Sequence, residues 1–206
     1  SELTRKPLTA VLSLPTVPRD TEVLHPFLAG SAAIANLWLE RESLHGGAFL
    51  FDGGAWVILG AKESGKSSTL GWLAARGFPI LTDDLVIIDD ADRLYSGPRC
   101  VDLREEAARE LGVGEPLGLV GARHRWRHVV PPAPLAVPLR GWVLPDWGTD
   151  IAVTPVMGIE RITVIAEHFT LHAPTRAERL LGLAAKPCLR FRRPRSWSTF
   201  DASMAR

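Results

Sequence analysis

Eight residues, Gly60-Ala61-Lys62-Glu63-Ser64-Gly65-Lys66-Ser67, constrain this chain more than any other stretch. They fit the pattern G-x-x-x-x-G-K-[ST] with no mismatch. Ahead of them, Ala55 to Leu59 is a short apolar run suited to a buried strand. Behind them, Ser68 to Ala75 reads as a helix with Leu70, Leu73 and Ala74 on one face. Strand, glycine loop and helix are the order that phosphate binding needs. Glycines let a loop wrap with its N–H groups inward, and the helix N-terminus adds partial positive charge. In such a Walker A loop, Lys66 reaches the outer phosphates and the Ser67 hydroxyl ligates Mg²⁺. Gly60 to Ser68 is therefore the expected nucleotide-binding segment.

The acidic partners come next. Phe78 to Leu81 reads as a strand with Asp83 and Asp84 at its end. Leu85 to Ile88 reads as another, stopped by Asp89-Asp90, so Asp89 is a second candidate of Walker B type. Carboxylates at a strand end beside a phosphate loop can hold Mg²⁺ or accept a proton. Ahead of the loop, Ala48 to Phe51 and Ala55 to Leu59 flank the turn signal Asp52-Gly53-Gly54, which predicts a β-hairpin.

Elsewhere the reading is coarser. Pro7, Pro15, Pro18 and Pro26 leave no room for a long helix in the first 30 residues, which read as strands and turns. Ser31 to Arg41 reads as a short helix, and Arg76-Gly77 closes the helix after the loop. Asp102 with Glu105 reads as a capping box opening a helix from Leu103 to Leu111. Gly112 to Gly121 reads as a loop, and Arg123 to His128 as a basic loop that binds substrate or is simply solvated. The same two readings hold for Arg190, Arg192, Arg193 and Arg195. Leu139 to Leu144 reads as a strand, and Glu160 to Phe169 as a helix. A second capping box, Thr175 with Glu178, starts a helix running to Ala185. Cys188 to Arg192 reads as a last strand. Trp126, Trp147 and Trp197 sit in polar company.

Composition sets the outer limits. A chain of 206 residues with no internal repeat reads as one domain over 1–206, with 43–90 as its nucleotide-binding core. A net charge of +1 gives nucleic-acid binding no support, although Arg123 to Arg127 with Trp126 admits it weakly. No apolar run approaches the roughly 18 residues of a membrane span. Two cysteines, Cys100 and Cys188, form no metal-ligand cluster and point to a reducing compartment, the cytoplasm, with one disulfide between them the alternative. Homo-oligomerisation stays open.

The order His45-Gly46, hairpin, Gly60 to Ser67, Arg76-Gly77 and Asp83-Asp84 resembles the HPr kinase/phosphorylase family over residues 43–90. The resemblance implies an α/β phosphate-loop fold like that family's C-terminal domain, a mixed sheet with flanking helices. It implies an ATP- and Mg²⁺-dependent kinase acting on a hydroxyl, with serine the expected acceptor. Asp84 is then the general base, and Asp83 assists it or joins Ser67 at the metal. His45 resembles the family histidine near the reacting phosphate, and Lys66 the phosphate-binding lysine. Smaller relatives of this fold phosphorylate free serine or the C-terminal serine of a lasso peptide, and this length fits that kind. The acceptor is thus a hydroxyl-bearing peptide, small protein or metabolite.

Two features depart from the family pattern. Lys62-Glu63 place charges in a loop that the family builds from small residues. The later signature with a metal-binding glutamate has no counterpart, and Asp102 stands near its place. Candidates for stabilising the transferred group or holding substrate are Arg99, Arg104, Arg123, Arg125 and Arg127. Two other classes remain: a phosphate-loop ATPase, though no LSGGQ-like signature is present, and a non-catalytic nucleotide-binding module acting through a protein partner.

Overall fold

A computed structural model describes residues 2–4, 9–11, 13, 28–120, 122–171 and 176–204. Most of the proline-spaced N-terminal segment and Thr175, the expected capping residue, lie outside them. The elements in order are β1 (Glu2–Thr4), β2 (Thr9–Val11), α1 (Ala29–Trp38), β3 (Glu42–His45), β4 (Gly47–Phe51) and β5 (Gly54–Ile58). Next come α2 (Lys66–Ala75), β6 (Ile80–Thr82), β7 (Leu85–Ile88), β8 (Arg93–Tyr95), β9 (Cys100–Leu103) and α3 (Glu105–Leu111). The chain continues through β10 (Glu115–Val120), β11 (Arg123–Val129), β12 (Ala136–Trp147), β13 (Ala152–Pro155) and α4 (Gly158–Glu167). It closes with α5 (Ala177–Ala184), β14 (Cys188–Arg193), a 3₁₀ turn (Trp197–Thr199) and α6 (Phe200–Met204).

Nine strands form one mixed sheet in the order β3-β7-β8-β12-β5-β4-β6, with β14 and β13 branching from β12. The long β12 is the seam. Ala136 to Pro138 pair antiparallel with β8, and its second half runs parallel to both β5 and β14. The expected hairpin forms, with Phe49 opposite Trp56 and Phe51 opposite Gly54. Asp52 (φ 48°) and Gly53 (φ 70°) make its two-residue turn. Left-handed geometry at both positions is what a twisted hairpin favours.

β5 explains why its residues are apolar without alternation. Val57 and Leu59 enter one core with Val86, Trp142, Ile165 and Leu183. Ile58 enters a second core with Leu70, Leu73, Val101, Leu103 and Phe200 on the opposite face. A central strand covered on both faces reads as a continuous hydrophobic run. The first core lies under α4 and α5, and the second under α2, α3 and α6.

The region from 100 to 129 departs from expectation. Asp102 opens no helix. It sits in β9, where Val101 and Leu103 are buried and their neighbours are not, a period of two. The helix starts at Glu105 with Arg104 at its N-cap and no side-chain cap. The glycine-rich 112–121 segment is no simple loop, because Glu115 to Val120 form β10. Gly118 (φ 77°) marks an irregularity in its register with β11. The basic run is a strand too: β11 lies between β10 and β9 in a separate three-stranded sheet. Cys100 and Cys188 are both free thiols. No helix among the described residues is long and apolar enough to cross a membrane.

Candidate functional site

β5, β12 and β14 are mutually parallel, and β6, antiparallel to β4, runs the same way. Their carboxyl ends therefore meet at one edge, where an α/β sheet places its ligand crevice. A cleft of about 890 Å³ opens there. The glycine loop forms its floor between β5 and α2.

Two glycines fix the loop's path. A Cβ on Gly60 would stand 2.7 Å from Ser64 Oγ, and one on Gly65 would stand 2.8 Å from Arg193 Nη2. Gly65 is also the N-cap of α2 in the left-handed region (φ 91°), which costs glycine little. Glu63 takes φ 72° at the loop's outer bend. Gly60, Ala61, Lys62, Glu63 and Gly65 line the cleft, as do Lys66, Ser67 and Ser68. Ser64 lies behind, with a buried hydroxyl that has no partner among the described residues.

Lys66 folds back on the loop, its ammonium donating to the carbonyls of Gly60 (2.6 Å) and Ala61 (3.1 Å). Burial lowers its pKa, against the opposing pull of Asp84 and Asp83. Ser67 Oγ donates to Asp83 Oδ1 at 3.3 Å. Asp83 also accepts the N–H groups of Asp84 (3.1 Å) and Asp102 (3.2 Å). Burial, followed by the neighbouring Asp84 carboxylate, raises the Asp83 pKa to about 7.

The adjacent carboxylates divide. Asp83 turns beneath the loop toward Ser67, while Asp84 lines the cleft. Asp84 is left-handed (φ 73°), a conformation that aspartate tolerates better than most residues. Its carbonyl oxygen accepts the Gly46 N–H at 3.2 Å and lies 3.1 Å from His45 Nδ1. A carbonyl only accepts, so the His45 proton sits on Nδ1 and Nε2 is left as an acceptor. Desolvation by the cleft walls, then Lys66, lowers the His45 pKa. The neutral ring is thereby favoured.

Asp102 and Arg127 stand directly opposite in β9 and β11. They form a bidentate pair, both contacts 2.7 Å, with side chains only 15% and 12% exposed. Arg127 is thus committed to Asp102 and does not line the cleft. Arg99 is exposed outside the cleft too, its carbonyl accepting the Val130 N–H. Arg123 and Arg125, which share a face of β11, do line the cleft, together with Arg104. Arg104 and Arg123 lie 2.8 and 3.5 Å from the Glu63 carboxylate. The Arg104 hydrogen bond lowers the Glu63 pKa. Asp89, the rival acidic candidate, is absorbed in a turn: it accepts the N–H groups of Ala91 and Arg93 and bonds to Tyr95 and the Arg93 side chain.

Arg193 and Arg195, left by the sequence between substrate binding and solvation, line the cleft, as do Trp147 and His168, which the sequence did not assign to it. Trp147 ends β12, and its ring N–H donates to the Glu63 carbonyl at 3.3 Å. Its polar neighbours were the one signal available. Nothing in the run 190–195 separates Arg193, which is 2% exposed, from arginines that are half-buried.

No cluster of three or more His, Cys, Asp or Glu residues among those described could hold a metal by itself. Ser67 Oγ and Asp83 Oδ1 nevertheless put two hard oxygens together. That donor pair fits Mg²⁺, which usually takes one or two protein ligands and completes its shell with phosphate oxygens and water.

No family model matches this sequence, and no curated protein matches it. Among solved structures, the HPr(Ser) kinase/phosphatase from Coxiella burnetii matches at 9% identity and a TM-score of 0.33. The match covers 79% of this chain and 91% of that one. So loose a likeness carries no argument about chemistry, which has to come from the cleft itself.

Proposed function

We propose that this chain is an ATP- and Mg²⁺-dependent kinase that transfers the γ-phosphoryl group to a hydroxyl, with serine the favoured acceptor. One observation carries the reading. Lys66, Ser67 and Asp84 open on a single cleft at the carboxyl edge of the sheet, and Asp83 bonds to Ser67 from below.

Phosphoryl transfer is mostly positioning and charge stabilisation. The N–H groups of the Gly60 to Ser67 loop would cradle the phosphates, and Lys66 would exchange two carbonyl partners for phosphate oxygens. Ser67 and Asp83 would hold Mg²⁺, which supplies charge neutralisation at the β- and γ-phosphates. Asp84 would orient the acceptor hydroxyl and take its proton as transfer proceeds. His45, with Nε2 available as an acceptor, would help hold that hydroxyl. The acceptor itself is a peptide, a small protein or a metabolite.

Asp84→Asn tests the assignment. The variant should lose transfer to any acceptor by a factor of about 10² or more, the ordinary worth of a positioned base. ATP binding, followed by calorimetry, should stay within a few-fold of wild type. Full transfer activity in the variant would remove Asp84 as the base.

A further inference from the structure

Arg193 is the last residue of β14, paired in register with Trp147 at the end of β12. Its guanidinium carbon lies 4.5 Å from the Trp147 ring centroid and 4.2 Å from that of Phe200. The other arginines of the strand have acids: Arg190 meets Asp146 and Glu160, and Arg192 meets Asp150. Arg193, far more buried, has none within ion-pair distance among the described residues. Among the described residues its side-chain hydrogen bonding amounts to one long contact, Nη1 to the Pro194 carbonyl at 3.5 Å. Its Nε is buried with no hydrogen-bond partner among the described residues.

Buried charges are normally paired, because desolvating an ion is costly and only a good partner offsets it. Cation–π contact with Trp147 and Phe200 offsets part of that cost but supplies no counter-charge. Burial lowers the Arg193 pKa to about 10, which still leaves it charged at neutral pH. The charge is also aimed: Nη2 lies against Gly65, the N-cap of α2. The positive end of a ten-residue helix, Lys66 and a desolvated guanidinium thus face the same cleft. The carboxylates of this cleft act on other groups, Asp83 and Asp84 on Lys66 and Glu63 on Arg104, so the charge on Arg193 is complementary to an anion.

We propose that Arg193 is a phosphate-binding residue of this cleft, held ready between Trp147 and Phe200 to engage an oxygen of a nucleotide's polyphosphate chain at Gly65. This rests on the nucleotide reading given above. Arginine suits the task, since its planar fork stacks between two rings while offering several N–H donors to phosphate. The aromatic sandwich fixes the fork beforehand, so little ordering remains to be done on binding.

Arg193→Met keeps the unbranched stem between the rings and removes the charge. Calorimetric titration of the full chain with ATP–Mg²⁺ and with inorganic tripolyphosphate should show roughly 10- to 100-fold weaker binding, the worth of a lost charge-assisted bond. The salt dependence of tripolyphosphate affinity should become shallower, and the melting temperature of the ligand-free variant should equal or exceed wild type. Arg193→Lys, which keeps charge but loses the fork, should fold and bind several-fold more weakly. Unchanged affinity with a lowered melting temperature in Arg193→Met would make Arg193 a purely structural wedge and overturn the proposal. If Arg193→Met did not fold, wild-type affinity in Arg193→Lys would overturn it instead. Wild-type protein that bound neither ATP nor tripolyphosphate would sink the nucleotide reading itself, and this inference with it.

Discussion

Replacing Gly65 with alanine should damage the protein far more than the same change at Gly77, although both glycines are left-handed. Gly65 has φ 91° and Gly77 has φ 82°, so the conformational penalty is about 1–2 kcal/mol at each. What surrounds them differs. A Cβ at Gly77 meets nothing within 4 Å, whereas one at Gly65 stands 2.8 Å from Arg193 Nη2 and 3.1 Å from a Trp147 ring carbon. The end of an arginine can usually swing aside. Here the guanidinium is buried between Trp147 and Phe200, so it moves only by disturbing that stack. Overpacking of this kind costs about 1–3 kcal/mol. Gly65→Ala should therefore lose about 2–5 kcal/mol, which for a chain of this size lowers the melting temperature by about 5–15 °C. Gly77→Ala should lose only the conformational part. Differential scanning calorimetry on both variants separates the two contributions. Placing Gly65→Ala in an Arg193→Met background should recover part of the loss, because a thioether end yields more readily. Equal melting temperatures for the two single variants, or strict additivity in the double one, would refute the packing argument.

Other expectations are independent of this one. Arg127→Ala strips a bidentate partner from Asp102 in a mostly buried pair, and should cost about 3–5 kcal/mol in urea unfolding; an unshifted midpoint would contradict it. Burial pushes Asp92 upward, but bonds from Lys186 and Arg179 outweigh it and hold its pKa below the usual value. Stability from that group is present above the unfolded carboxylate pKa, near 3.9, and is lost as pH falls through the depressed folded one. Asp92→Asn should therefore lower the melting temperature at pH 7 and flatten the acid limb of stability below about pH 4; parallel pH profiles for variant and wild type would count against this. Glu63→Gln removes the carboxylate that Arg104 and Arg123 approach, so ATP should bind a few-fold more tightly at low salt, an advantage that fades as salt rises. Weaker binding would mean that Glu63 serves to position those arginines.

The central unit of the fold was legible because its signals are local. The hairpin, glycine loop, helix and acidic turn from 47 to 84 each carry glycine or aspartate where the backbone turns left-handed, at Asp52, Gly53, Glu63, Gly65, Gly77 and Asp84, with Glu63 alone breaking that rule. The 100–129 region was misread because two local cues coincided with other structure. Asp102 three residues before Glu105 resembles a capping box, but the Asp102 side chain is spent on Arg127. Glycines at 112, 114 and 118 suggest a loop, yet Gly118 serves as an irregular point in an antiparallel strand. Arg193 could not be singled out at all. Its burial follows from the parallel register of β14 on β12 and the return of Phe200 over it, contacts that no local pattern encodes.

Transfer of label from γ-labelled ATP, followed by mass spectrometry, tests the proposed activity most directly. The wild-type chain would be incubated with Mg²⁺ and free serine, a serine-ending peptide, HPr or a cell extract, beside the Asp84→Asn variant. A hydroxyl-phosphorylated product is expected with wild type and none with the variant. Free phosphate alone at the same rate with and without acceptors, or intact ATP despite saturable binding, would contradict it.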